Sequence, residues 1–341
     1  MTKSLSTGKK GQALRLQRDI PPMVKRSLRS GLWAGAAAAA LLFLALAAWF
    51  ESKGVHAEEA ADSSSAEAKP EEAKPKVLTP KAENSEELTV RASTVNAAYR
   101  IHWLGAYIGD FRIRSSITNR QYSLQANADV SVFFGTFKWE GATSSRGLMT
   151  ANGPVPQNYT FRYAANDRRE AIELRFQQRT VQDIIINPPH HLGSRNVPIT
   201  SAHLQNVVDP LSAILLLAQA RLTRRSGDAC DKRLPIFDGK TRYDLIFSAK
   251  GTRAVGGTGK LRGTAYVCSV RYVPIAGHKI GKSENDYATG NTGIEVWLVP
   301  LPEAGLFVPY YVHVPTPAGT ASLVTAKFDV ETPAGRQALA E

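Results

Sequence analysis

The chain has 341 residues, with 42 lysines and arginines against 30 acids, a formal charge of +12. That length holds one large domain with flanking segments, and the charge directs it toward anionic partners. Its two cysteines, far apart in sequence, exclude a Cys-x-x-Cys redox centre.

Residues 1–30 carry eight cations, Lys3 to Arg29, and a single acid, Asp19. The run Gly31–Phe50, "GLWAGAAAAALLFLALAAWF", follows without a charge. As a helix it extends roughly 30 Å, the thickness of a bilayer core. Cations on its N-terminal side keep that flank in the cytoplasm and send the rest across. Val55 and Ala57 offer a signal-peptidase site. Two readings stand: a signal peptide cut after Ala57, leaving a soluble periplasmic protein, or an uncleaved anchor in the inner membrane.

Residues 51–90 change character. From Glu58 to Val90 there are nine acids and four lysines among Ala, Ser and Pro, with no aromatic residue. Such a stretch buries too little apolar surface to offset its ordering entropy, so a disordered acidic linker is expected. From Arg91 to the end, 29 lysines and arginines face 19 acids, a charge of +10. The expected partners are therefore anionic lipid, polysaccharide or an envelope protein. An exported chain does not meet nucleic acid.

Residues 91–331 read as one β-rich domain and 332–341 as a C-terminal tail. Alternation is the dominant pattern. Tyr99, Ile101 and Trp103 share one face, Phe111 and Ile113 the same face of the next run, and Gly105 and Gly109 flank a hairpin turn. "YSLQANADVSV", "NYTFRYAAND", "AIELRF", "RYDLIFSAKG", "GTAYVCSVRYV", "GIEVWLVPL" and "ASLVTAKFDV" continue the strands. One segment breaks the period. Asp209 is placed as an N-cap, Pro210 as the first helical residue, and Leu211, Ile214, Leu215, Ala218 and Leu222 form a stripe. Leu216 and Leu217 widen that stripe until the helix must be buried on most sides. The expected architecture is mainly β: a strongly curved, half-barrel-like antiparallel sheet holding one buried apolar helix, preceded by the membrane or signal helix and the linker.

Cys268 falls on the apolar face of its strand and Cys230 in the polar connection after the helix. In an oxidising compartment two cysteines of one domain pair, which predicts a Cys230–Cys268 disulfide. The hairpin with glycines around its turn, the Asp209-Pro210 helix start, Phe237-Asp238-Gly239 and the cysteine pair together resemble an exported bacterial family, domain of unknown function 3108, over roughly residues 95–330. The resemblance implies a periplasmic β-rich domain whose sheet-plus-helix plan is similar to the half-barrels that carry lipoproteins between bacterial membranes. It brings no catalytic, cofactor or metal residues.

"AGHKIGKS" misses the spacing of a phosphate-binding loop and leads into what reads as a polar loop. His190, His191 and His203 read as exposed loop residues rather than metal ligands. No catalytic motif is present, so no enzyme activity and no cofactor are expected. Two candidate surfaces remain: Tyr99, Trp103 and Phe111 as the lining of a cavity for an amphiphile or hydrophobic segment, and Arg162, Arg168, Arg169 and Arg175 as an anion-binding surface. The competing reading is an interaction module with a filled core. Alkaline phosphatase fused after Glu341 should be active in cells, and N-terminal sequencing should separate a chain beginning at Glu58 from an anchored one. A fusion active only with a cytoplasmic reporter would overturn the export reading.

Overall fold

The computed structural model describes residues 91–133, 135–219, 229–256, 263–281, 283–302 and 304–340. The expected signal or anchor helix and the linker lie outside them. Seven strands come first: β1 (Ser93–Trp103), β2 (Ala106–Thr118), β3 (Gln121–Val132), β4 (Phe137–Thr150), β5 (Gly153–Ala165), β6 (Arg168–Gln177) and β7 (Thr180–Asn187). Helix α1 (Pro210–Ala218) follows, then β8 (Lys232–Phe237), β9 (Arg242–Val255), β10 (Gly263–Ala276) and helix α2 (Ser283–Gly290). The chain closes with β11 (Glu295–Leu301), β12 (Leu306–Thr316), β13 (Gly319–Thr332) and β14 (Gly335–Ala340).

All strands belong to one antiparallel sheet, in the order β7-β6-β5-β4-β3-β2-β1-β13-β12-β11-β10-β9-β8, with β14 added on β13. The sheet is not closed. The chain starts at its middle, meanders out to β7, crosses through α1 to the opposite edge at β8, and meanders back to pair β13 with β1. Strict alternation drives this: along β3, every second residue from Tyr122 to Val132 is buried and the others are exposed.

The sheet must curl. Helix α1 touches β4 and β5 on one arm and β8 and β12 on the other. In a flat sheet β5 and β8 would lie roughly 48 Å apart at ten strand spacings, whereas a nine-residue helix is only about 14 Å long. The β8–β9 turn also meets the far arm: Gly239, at φ +104°, sits where a Cβ would come 2.5 Å from Ile172 of β6, and Lys240 pairs with Glu170. Asp238 shapes this turn by accepting from the Lys240 and Thr241 amides at 2.8 and 2.7 Å.

Burying a helix exposes its unpaired end groups to an apolar interior, where each must be satisfied. Asp209 caps the N-terminus, accepting from the Ser212 amide at 2.9 Å and the Ser212 hydroxyl at 2.6 Å. Ser145 of β4 donates to the same carboxylate at 2.9 Å, and Tyr122 of β3 reaches Ser212 at 2.7 Å. At the other end Lys232 donates to the carbonyls of Leu216, Leu217 and Gln219, the placement the helix dipole favours for a cation. Burial pulls this lysine down to about 8 and pushes Asp209 up to about 6, against its hydrogen bonds.

The disulfide is formed: Cys230 and Cys268 are bonded with Cα atoms 5.3 Å apart. It ties the entry to β8 back to β10, two strands inward. Leu222, expected on the helix stripe, lies outside the described residues, and α1 spans only Pro210–Ala218. Residues 332–341, read as a tail, differ from that expectation: β14 pairs with β13 from Thr332↔Gly335 onward. The segment read as a loop after Gly281 instead contains α2.

Replacing both cysteines by serine should lower the unfolding free energy by about 2–5 kcal/mol, measured by denaturant titration; an unchanged midpoint would remove the staple from the stability account. For Asp209 the sign is set by its raised pKa. Its unfolded carboxyl ionises near 3.8, so the stability it contributes is complete below that pH and is lost as pH rises through about 6. The loss is on the order of 2–3 kcal/mol. Asp209→Asn keeps the cap and should flatten this part of the pH profile in urea unfolding; a slope equal to the parent's would contradict the assignment.

Candidate functional site

The outward residues of six adjacent strands build one open trough of about 570 Å³. Register sets its two rows. Lys327, Ala98, Arg112, Asn127, Ala142 and Arg162 stand opposite one another across β13, β1, β2, β3, β4 and β5. Asp329, Asn96, Arg114, Gln125, Ser144 and Thr160 form the neighbouring row. Short side chains floor the trough, and Arg112, Arg114, Arg162 and Lys327 rise from it. Five strand steps make it roughly 24 Å long.

Its charges are loosely held. Arg112 pairs with Asp110 at 2.7 Å and Asp129 at 3.3 Å, Arg162 with Glu173 at 3.0 Å, and Lys327 with Asp329 at 3.9 Å. These cations are half-exposed or more, so each pair contributes only ~0–1 kcal/mol and is readily exchanged for a ligand's anion. Arg114 has no ion-pair partner among the described residues. The geometry fits an extended polyanion: along the first row its cations sit two and then three strands apart.

The four arginines expected as an anion surface divide. Arg162, Arg169 and Arg175 share the outer face by register, opposite Ala171, Ala164 and Asn158. Arg168 starts β6 opposite Ala165 and alternates away from them. Arg175 is paired with Asp183 at 3.7 Å, and only Arg162 lines the trough. Arg112 and Arg114 were legible as outward residues of β2. Their joining to Lys327 was not, because it depends on β1 pairing with a strand more than two hundred residues later.

Tyr99, Trp103 and Phe111 line no part of this trough. Tyr99 and Phe111 are buried, with ring centroids 5.8 Å apart, and the Tyr99 hydroxyl donates to the Pro309 carbonyl at 2.8 Å. Trp103 sits at the end of β1, edge-on to Phe133 at 6.4 Å. The interior holds a second polar group: Tyr243 and Tyr272, 5.2 Å apart, beside Asp238, which burial pushes up to about 7. All three are buried and serve packing and the β8–β9 turn.

His203 is engaged locally, its Nδ1 accepting from the Thr200 amide at 3.1 Å. Among the described residues no three His, Cys, Asp or Glu side chains are placed to hold a metal ion. In the "AGHKIGKS" segment two amides are already committed, Gly277 to the Val197 carbonyl and Ile280 to that of Arg195, both at 2.8 Å. Among the described residues no helix is long and apolar enough to cross a membrane.

No curated protein matches the sequence. Among solved structures, the chain is similar to a β-barrel-like protein of domain of unknown function DUF1849 from Brucella abortus, at 9% identity and a TM-score of 0.45, covering 71% of this chain and 99% of that one. The family described as "Protein of unknown function (DUF3108)" matches residues 98–328, which include the β1–β2 turn, the Asp209 cap, the Asp238 turn and both cysteines. The chain belongs to that family.

Proposed function

We propose that the chain is an exported, non-enzymatic module of the cell envelope that docks an anionic partner on the outside of its sheet. The observation that carries this reading is the trough, where short floor residues and four cations lie across six strands. An amphiphile or hydrophobic segment held inside the curve would need the space that α1 and the packed Tyr99–Phe111 pair take up. The geometry therefore favours the filled-core interaction module over the carrier. A partner with repeated negative charges, such as an acidic polysaccharide, matches the spaced cations and the length of the trough.

Arg114→Glu combined with Lys327→Glu should lower the salt concentration that elutes the protein from a sulfated-polysaccharide column. Arg195→Glu combined with Arg271→Glu, an equal change of charge at exposed positions outside the trough, should shift elution much less. Equal shifts would mean that net charge alone is read, and the trough would lose its role. Native mass spectrometry of protein taken from membranes should show it without a bound lipid; a stoichiometric lipid would reinstate the carrier.

A further inference from the structure

The polar outer face ends in an apolar rim. Strands β1 and β2 are joined by Leu104 and Gly105 alone, at φ +52° and +81°. Such two-residue turns ordinarily take Asn or Asp at the first position, because the left-handed conformation disfavours other side chains. Leu104 occupies it nonetheless and is 64% exposed. The neighbouring β3–β4 turn repeats the pattern, with Phe133 at φ +53° and 45% exposed. Tyr107, at the start of β2, is 56% exposed, and Trp103 lies edge-on between the two turns against Phe133.

Both turns are held in place. The Leu104 amide donates to Thr320 of β13 at 2.8 Å, and Thr136 donates its amide and its hydroxyl to the Phe133 carbonyl. The third tip on this end, Asn166-Asp167, is bonded to the start of β4 through Lys138, whose amide donates to Asn166 Oδ1 at 3.1 Å. Lys138, Arg168 and Arg169 are exposed here, with Asp167 at the tip and Asp110, Asp129 and Glu140 in the cross-strand row of Arg169. Exposed Leu and Phe in conformations that favour other residues, with Trp and Tyr beside them, have the chemistry of a bilayer interface, where aromatic rings sit at headgroup depth.

We propose that these hairpin tips dip into the interface of a lipid bilayer. The chain outside the structure fits this occupant. An uncharged run, Gly31–Phe50, lies 40 residues before Arg91. A chain of that length reaches at most ~140 Å, several times the ~36 Å height of β1, so a domain tethered there can turn this end to the same membrane. This inference stands on the rim alone and does not depend on the trough.

The test uses the full chain in vesicles containing phosphatidylglycerol and nitroxide-labelled lipid. Because Cys230 and Cys268 are bonded to each other, an introduced cysteine is the thiol that takes a fluorophore. Leu104→Cys labelled at the rim should be quenched strongly, and Asn152→Cys, on the β4–β5 turn at the opposite end of the sheet, should not. Adding Tyr107→Ser and Phe133→Ser, both exposed positions, should reduce quenching at 104 by roughly threefold or more. Equal quenching at 104 and 152, or none at 104, overturns the proposal. Protection of position 104 in native membranes but not in protein-free vesicles also overturns it and assigns the rim to a protein partner.

Discussion

A short apolar helix held inside a curled sheet is the constraint from which the remaining arrangement follows. Helix α1 is buried at seven of its nine residues, so the sheet supplies partners for both ends. Asp209 and the hydroxyls of Ser145, Ser212 and Tyr122 close the N-terminus, and Lys232 closes the C-terminus. These partners come from β3 and β4 on one arm and from β8 on the other. The polar network therefore fixes how the two arms of the sheet stand about the helix, which apolar contacts alone, being non-directional, do not.

An open sheet leaves two edges, and exposed edges recruit other strands. Here the edges are drawn together through the crossover. Val207 donates its amide to Arg179 at the β6–β7 turn, and Val208 exchanges bonds with β8 at Pro235 and Phe237. The same two residues thus bridge one end of the sheet to the other without a continuous ladder. Pro235 is tolerated in β8 because that strand is the last in the sheet order and Val208, on its outer side, uses the Pro235 carbonyl and the Phe237 amide rather than an amide of Pro235. The disulfide acts at the same edge, and its loop-closure contribution of about 4 kcal/mol for a 38-residue separation secures the strand that carries Lys232 to the helix.

Much of this was legible in the sequence where periodicity and local chemistry agree. β3, β5 and β6 alternate cleanly, and Asp209-Pro210 announced the helix start. The cysteine pair followed from the expectation of an oxidising compartment. β4 was not legible because its inward positions are small or polar: Gly141, Thr143 and Ser145 are there to admit the Trp139 ring and the Asp209 network, so no apolar period appears. β12 was hidden by Pro309 and Pro315 and by a continuous apolar run, and β14 by its position as a short addition to β13. The trough was out of reach for a different reason. Arg112, Arg114 and Lys327 are each unremarkable alone, and only the β1–β13 register, set across the whole length of the domain, brings them into one surface.

The reading of aromatic strand residues as a ligand lining turns on a point that sequence alternation cannot decide. An inward face says that Tyr99 and Phe111 leave water, not whether they then meet a ligand or one another. What decides is the volume competing for the interior, and a buried helix flanked by Leu211, Leu215 and Leu217 takes it. Once the inside is filled, residues that are not needed for packing can remain only on the outer face and at the strand ends. The trough cations are such residues, and Leu104 and Phe133 are largely exposed at the strand ends. Leu104 and Phe133 also carry a local conformational penalty, which supports the proposal that this sheet binds through its surfaces.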